Sequence, residues 1–398
     1  MVKIAVLGHG VVGSGVMEVL QKNHESIAKK AGQEIEVKYI LDLRDFDLPY
    51  KDLFVKDFDV ILNDPEVKIV VEVLGGLHPA YDFSKAALEH GKSVVTSNKE
   101  VVAEKGAELL KIARENNLNY LFEASVGGGI PIIRPLTQCL AANELHEIFG
   151  ILNGTTNYIL TEMIHRGVDF ETALKEAQEK GYAERNPAAD IEGIDACRKI
   201  CILASLAFGR HVYPANIKAE GITKVTLEDV KYASELDGVI KLIGHAVELP
   251  DGRVFADVAP CIVKNENPMA GVSDVFNCIL VRGDMIGDVM FYGRGAGKLP
   301  TASAVVADVI DEVKHLKARK FLSWVDAGSD FIAGEDAVTA DFFVRVKGEI
   351  PAEFAGATAI KSQVEGESAF VVSNVNVAAF HKSCANIPNL VSNYKIIK

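Results

Sequence analysis

The sequence is expected to fold in the α/β class, as a doubly wound parallel sheet joined to an α+β second domain and a small C-terminal α+β module. Three observations point there. Val- and Ile-rich runs of strand length alternate with helix-length stretches over the first third of the chain, as in βαβ units. The first of those runs leads directly into Gly8, Gly10 and Gly13, the spacing of a phosphate-cradling turn. The 398 residues exceed the roughly 250 to 300 at which one core usually stops growing, so at least two domains are needed.

In order, the first domain takes a strand at Lys3 to Leu7, a helix from about Gly10 to Ala31, and strands at Glu36 to Leu43 and Lys68 to Val73. A helix over Tyr81 to His90, a strand at Ser93 to Thr96, a helix over Lys99 to Asn116 and a strand from Asn119 to Glu123 complete it. After a Gly-rich turn the pattern changes to a long helical stretch from about Asn157 to Leu206. Strand-like runs follow at Val254 to Val263, Asn277 to Val281 and Asp288 to Tyr292, then a helix over Ser303 to Lys320 that can pack back on the first domain. Beyond Thr339, the runs Phe342 to Lys347 and Ala369 to Val377 read as strands. The expected boundaries are 1–130, completed by about 303–325, then 131–302, then 339–398.

Composition narrows the class of function. Forty-two Lys and Arg against 55 Asp and Glu leave a net charge of −13, which argues against nucleic acid, whose phosphates are bound by clustered cations. With 48% hydrophobic and 24% charged residues the chain is well cored. No run approaches 18 uncharged apolar residues, so no membrane span is expected. The apolar start lacks a basic leading region and its small residues fall in a glycine pattern, which favours a cytoplasmic protein over a secreted one. Six cysteines without a CxxC pattern predict neither a disulfide framework nor a zinc site. Cys197 and Cys201, four apart on a helix, read as core.

In the turn Gly8-x-Gly10-x-x-Gly13, the first glycine permits the bend, the second admits a pyrophosphate, and the third lets helix and strand pack closely. A glycine turn serving only packing is the plain alternative. The strand before it, the helix after it and the second strand supply the context of a dinucleotide site. At the end of that second strand, Asp42 suits a ribose hydroxyl and Arg44 a 2′-phosphate, so NAD and NADP stay open, with a lean to NADP through Arg44.

On the substrate side, Asp195 and Lys199 lie four apart near the start of an otherwise apolar helix, preceded by Glu184 and Asp190. A simple helix ion pair would be worth about 0.3 to 0.5 kcal/mol. The functional reading is carboxylates for an ammonium-bearing substrate and a lysine for proton transfer, which near neutral pH requires a depressed pKa through burial or a second cation. Lys99 follows a strand's carboxyl end, where doubly wound folds bind ligands, and would be such a second cation if both lysines faced one cleft. It reads equally as a surface charge at a helix start. Gly154 and Thr155, before a helix, offer N–H groups and a hydroxyl to a substrate carboxylate, or a plain cap. Glu123 with Val126, Gly128 and Ile130 presents carbonyls and a carboxylate, hard ligands suited to a hard monovalent cation.

The strings GHGVVGSGV, TSNKEVVA, EASVGGGIPII, LNGTTNYIL, GYAERNPAADIEGIDACRKI and GRGAGKLPTASAVVADVID occur in colinear order over about residues 1 to 325. Together they resemble homoserine dehydrogenase. The resemblance implies a Rossmann-type cofactor domain, a catalytic and dimerisation domain at 131–302, and the NAD(P)-dependent interconversion of L-homoserine and L-aspartate 4-semialdehyde on the route to threonine, methionine and isoleucine. It implies Lys199 as proton donor and acceptor with Lys99 nearby, and Glu184 and Asp195 on the substrate ammonium. Asp190 would support the cleft, with Gly154 and Thr155 near the substrate. Gly8, Gly10, Val11, Val12, Gly13, Arg44, Gly75, Lys99, Gly181 and Gly297 would hold NADP or NAD. Glu123, Val126, Gly128 and Ile130 would match a sodium site, the last three through carbonyls. A homodimer or higher homo-oligomer is expected.

Two features depart from the family pattern. Asn186 stands where an aspartate is common, removing one charge from the substrate loop. The tail after Thr339 is shorter than the ACT domain of many bacterial members, so an abbreviated ACT-like module is expected. Two other readings compete: another amino-acid dehydrogenase, which would share the nucleotide loop but not the Asp195–Lys199 spacing, and an NADPH-sensing regulator without turnover, which would have no use for a proton-transfer lysine.

Overall fold

A computed structural model describes residues 1–320, 322 and 324–398. Positions 321 and 323, inside the stretch expected to complete the first domain, lie outside the described residues. The chain forms two compact units: Met1–Glu144 with Cys201–Pro214 and Gly293–Gly328, and Leu145–Ile200 with Ala215–Tyr292 and Ser329–Lys398.

The first unit is built on six strands, β1 (Val2–Leu7), β2 (Ile35–Leu41), β3 (Phe54–Val55), β4 (Val67–Glu72), β5 (Ser93–Thr96) and β6 (Tyr120–Leu121). They pair in the order β3-β2-β1-β4-β5-β6, all parallel. Sequence order reverses between β1 and β4, which opens a crevice at their carboxyl ends. Parallel strands are covered on both faces and so read as near-continuous apolar runs. Ile4, Val6, Ile69, Val71 and Val95 share a core with Val16 and Leu20 of the helix Val11–Lys22 and with Val305 and Val309 of the helix Lys298–Lys314. The returning helix starts earlier than expected and ends at Lys314. The single helix expected from Gly10 to Ala31 is two, Val11–Lys22 and His24–Ala31. Asn23, a poor residue for a helix interior, leaves helical geometry there and closes the first helix through its N–H to the Val19 carbonyl.

The second unit carries β7 (Leu145–Ile151), β8 (Lys218–Ala219), β9 (Gly238–Glu248), β10 (Val254–Lys264), β11 (Phe276–Gly283), β12 (Gly287–Arg294), β13 (Thr339–Lys347), β14 (Thr358–Ile360), β15 (Glu367–Asn376) and β16 (Leu390–Ile397). They form one sheet in the order β12-β11-β7-β9-β10-β16-β13-β15-β14, with β8 beside β10. The tail therefore continues this sheet: Lys395–Ile397 of β16 pair in parallel with Cys261–Val263 of β10. The helix Val377–Ala385 packs on the tail strands, where Phe342 and Phe380 stack at 3.8 Å between ring centres. Five strands of this sheet escaped the sequence pattern, β7, β8, β9, β14 and β16. In β9 the apolar alternation is broken by Gly244 and by Lys241, a lysine buried in the sheet that donates to the Val272 carbonyl at 2.6 Å.

The long helical stretch of the sequence is four helices, Gly154–Arg166, Phe170–Glu179, Ala188–Ile191 and Ile194–Phe208. Gly167, Gly181 and Gly193 separate them at φ of +65°, +74° and +83°, left-handed geometry that ends a helix at little cost only for glycine. Cys197 and Cys201 are buried on the last of the four.

Candidate active site

The loop after β1 shows what each glycine is for. A Cβ on Gly13 would lie 2.0 Å from the Gly8 carbonyl oxygen, and Gly8 itself has φ +98°. Those two are required by the fold. A Cβ on Gly10 would meet no protein atom within 4 Å. Gly10 precedes the helix Val11–Lys22, which has no side-chain cap and no acidic residue in its first turn. The first N–H groups of that helix have no intrahelical partner, the feature by which a helix N-terminus can bind phosphate.

The two residues expected to choose between NAD and NADP follow β2. The Asp42 carboxylate accepts the His9 N–H at 2.8 Å and the Arg44 N–H at 3.0 Å, and pairs with the Arg44 guanidinium through Nε at 3.0 Å and a terminal nitrogen at 2.8 Å. Arg44 holds the Asp42 carboxyl well below the usual carboxylate range. Asp42 thereby ties the glycine loop to Arg44, whose side chain is exposed. Across the crevice, Gly75 and Gly76 are exposed after β4, and Lys99 opens the helix Lys99–Glu115, which Asn98 caps through its side-chain oxygen. Gly297, at φ +122°, precedes the helix Lys298–Lys314 and lies in the same unit.

In the turn expected to bind a cation, Glu123 is buried and its carboxylate is occupied. Oε1 accepts the N–H groups of Ile132 and Ile133 at 2.6 and 2.8 Å, and Oε2 accepts the N–H and Nε–H of Arg134 at 2.9 and 3.1 Å. The turn's own bonds, Ile130 N–H to Gly127 and Gly129 N–H to Arg294, do not end on the carbonyls of Val126, Gly128 or Ile130. A cation here would meet carbonyl oxygens and not the carboxylate.

In the second unit, Lys199 and Asp195 are 7% and 4% exposed. Lys199 Nζ donates to Asp195 Oδ2 at 2.7 Å and to the Leu152 carbonyl at 2.7 Å. The spacing predicted that pair. It did not predict Asn153, whose amide Nδ2 donates to Asp195 Oδ2 at 2.9 Å and to Asp190 Oδ1 at 2.7 Å, while its Oδ1 caps the helix Gly154–Arg166 at the Thr156 N–H. The signal available was an Asn at a helix-start position, which reads as a cap and conceals the second task. Thr155 Oγ1 donates to the Tyr182 carbonyl at 2.8 Å, fixing the loop after Gly181. Gly154 is needed for packing, since a Cβ there would lie 2.8 Å from the Val275 carbonyl oxygen. Glu184 and Gly181 are exposed on that loop, and Asp190 is partly buried.

The first unit carries a glycine turn before a helix and the second a buried lysine–carboxylate pair, and comparison with known proteins gives the family. Residues 8–123 match the NAD-binding domain model of homoserine dehydrogenase, and residues 131–310 match the homoserine dehydrogenase model itself. The chain belongs to the homoserine dehydrogenase family. The Synechocystis sp. homoserine dehydrogenase is 46% identical over 325 residues, covering 78% of this chain and 73% of that one. The Bacillus subtilis enzyme is 40% identical over 321 residues, covering 79% and 74%. The crystal structure of the Thiobacillus denitrificans homoserine dehydrogenase superposes with a TM-score of 0.90 at 34% identity, covering 99% of this chain and 98% of that one. A hyperthermophilic archaeal homoserine dehydrogenase mutant, solved in complex with NADPH, superposes at 0.66 with 29% identity, covering 78% and 97%. Homoserine dehydrogenases are NAD(P)-dependent oxidoreductases acting on a CH–OH group. Among the described residues no helix is long and apolar enough to cross a membrane.

Proposed function

We propose that Lys199 is the proton-transfer group of the homoserine–aspartate semialdehyde interconversion. The observation that carries this is the double anchoring of Nζ between Asp195 Oδ2 and the Leu152 carbonyl, which aims a buried amine from a rigid helix. In the oxidation, Lys199 as neutral amine takes the hydroxyl proton while the C–H bond breaks and the carbonyl forms; in the reduction it returns the proton to the alkoxide. The nicotinamide, when bound, accepts or supplies the hydride. General acid–base help of this kind is worth about a hundred- to ten-thousand-fold.

Around that step, Asp195 and Glu184 bind the substrate ammonium, Asp190 supports them through Asn153, and Gly154 and Thr155 present the substrate end of the helix Gly154–Arg166. Gly8, Gly10, Val11, Val12 and Gly13 receive the pyrophosphate. Gly75, Lys99, Gly181 and Gly297 serve the nicotinamide end. Arg44, exposed and hinged on Asp42, favours NADP through its 2′-phosphate. The carbonyls of Glu123, Val126, Gly128 and Ile130 would hold a sodium ion, which would stiffen the turn and take no part in redox. The residues fit it on the condition that Glu123 contributes its carbonyl. The module 339–398 is read as an abbreviated ACT-like domain, and the enzyme as a cytoplasmic homodimer or higher homo-oligomer in threonine, methionine and isoleucine biosynthesis. The support is the family resemblance; the net charge of −13 agrees with small-molecule partners and with neither nucleic acid nor membrane.

The test is the initial rate of nicotinamide reduction with L-homoserine, measured with NAD+ and NADP+ separately for the wild type and Lys199→Ala, with folding followed by circular dichroism. A fall of at least about a hundredfold in a folded variant supports the role. A smaller fall assigns the proton to another group.

A further inference from the structure

Buried carboxylates in this protein commonly face a cation: Glu123 faces Arg134, Asp229 faces Arg345 and Asp257 faces Lys395. Glu72 does not. It is the last residue of β4, fully buried, and pairs in register with Leu7 of β1 and Thr96 of β5, so it stands where strand order reverses. Among the described residues its carboxylate meets no cation. Instead it joins two loops. Glu72 Oε1 accepts the Leu74 N–H at 2.7 Å, and Oε2 accepts the Thr96 hydroxyl at 2.6 Å. Thr96 Oγ1 accepts the Asn98 N–H at 2.9 Å, and Asn98 Nδ2 donates to the Gly76 carbonyl at 2.8 Å, which closes the ring. The Glu72 carbonyl also accepts the Ser97 N–H.

We propose that Glu72 is a positioning residue for the nicotinamide half of the cofactor site, holding the loops 73–76 and 97–99 at one spacing. In a doubly wound sheet the second mononucleotide is carried by the half that begins with β4, and these loops are the carboxyl ends of β4 and β5. The proposal rests on the reading of Gly75 and Lys99 as cofactor residues. The ring needs the ionised carboxylate. Thr96 Oγ1 already accepts from Asn98, so its hydrogen goes to Glu72; a protonated Glu72 would present its own hydrogen to the same oxygen and turn the hydroxyl away. Burial pushes the Glu72 carboxyl up to about 7, with the hydrogen bonds from Thr96, Leu74 and Asn98 acting the other way. The groups facing it are those three and, from β6, the Tyr120 phenol. On the returning helix, Asp308 is engaged by the Glu123 N–H and by Arg134, and Glu312 by Asn119.

The loops should thus be ordered above neutral pH and loosened below it. The experiment is NADPH binding by nicotinamide fluorescence from pH 6 to 8 for the wild type, Glu72→Gln and Thr96→Val, with thermal melts for folding and the L-homoserine KM at saturating cofactor. The wild type is expected to bind about tenfold more tightly at pH 8 than at pH 6, the weight of one hydrogen bond to a charged group. Glu72→Gln and Thr96→Val should flatten that profile with the homoserine KM unchanged. Folded variants whose profiles run parallel to the wild type overturn the proposal. A wild type that binds no NADPH at any pH removes the cofactor-site reading and this proposal with it.

Discussion

The side-chain amide of Asn153 lies 2.9 Å from Asp195 Oδ2, the same oxygen that Lys199 grips at 2.7 Å. One carboxylate oxygen thus receives an amide and an ammonium, and the amide that steadies it also holds Asp190. Asn153 sets the distance between two carboxylates that reach it from 37 and 42 residues away.

Asn153→Ala should therefore do more than remove a helix cap. The cap is worth about 1 kcal/mol, and each hydrogen bond to a charged group about 1.5 to 3 kcal/mol. The variant is expected to lose about 2 kcal/mol or more of stability in urea denaturation and to raise the homoserine KM. Asn153→Asp keeps the cap acceptor but faces Asp190 and Asp195 with a third carboxylate, so it should be the worse of the two for KM. Equal KM values would remove Asn153 from the site.

Gly10 and Gly13 should separate binding from folding. Gly10→Ala places its methyl in space no protein atom occupies, so stability changes by about 1 kcal/mol or less while NAD(P) affinity falls. Gly13→Ala puts a Cβ 2.0 Å from the Gly8 oxygen and should destabilise by about 2 to 3 kcal/mol through overpacking. Thermal melts with and without NADP+ measure both. A Gly10→Ala protein that still gains the wild-type melting shift would place the pyrophosphate elsewhere.

His211 predicts a loss of stability in acid. It is buried, accepts the Ala107 N–H at Nδ1 and bonds the Ala103 carbonyl at Nε2. Burial lowers its pKa below the ordinary 6.5, with the Ala103 bond acting weakly the other way. The unfolded chain then binds a proton below about pH 6.5 that the folded chain refuses, so stability falls as pH drops through 6.5. His211→Gln, which does not titrate, should show a shallower decline between pH 7.5 and 5.5 than the wild type. Matching slopes would mean that the imidazole protonates freely in the folded state.

Arg345 should hold the tail to the helix Leu227–Glu235. Buried in β13, it meets Asp229 at 3.0 Å and pairs with Glu367, while Asp229 also accepts the hydroxyls of Ser392 and Tyr394 from β16. Arg345→Met leaves two buried carboxylates without their cation, a cost of about 3 to 5 kcal/mol. Urea denaturation checks it, and a loss below about 1 kcal/mol would show that the hydroxyls alone suffice.

The expected α/β class, with its doubly wound parallel first domain and α+β second domain, agrees with the structure because each depends on local pattern. The strands β1, β2, β4 and β5 were legible as apolar runs between helices, and Gly8, Gly10 and Gly13 by their spacing. Asp195 and Lys199 met because a helix brings i and i+4 together whatever surrounds it. Element ends were less legible: the helical period runs on through Asn23 and through Gly167, Gly181 and Gly193, because it persists across a one-residue break. β9 was hidden by Lys241, whose buried ammonium finds a partner, the Val272 carbonyl, 31 residues away. That burial holds Lys241 down at about 8.

What local order determined, then, was the class of fold, the phosphate turn and the lysine with its carboxylate, because backbone propensity and side-chain period act over a few residues. Tertiary structure decided which groups complete them. Only there does Glu72 become the link between two loops, Glu123 an acceptor for Ile132 to Arg134 in place of an open ligand, and β16 a strand in the sheet of β10. Each is a contact between distant residues, and its free energy exists once the rest of the core has brought the partners together and excluded water from them.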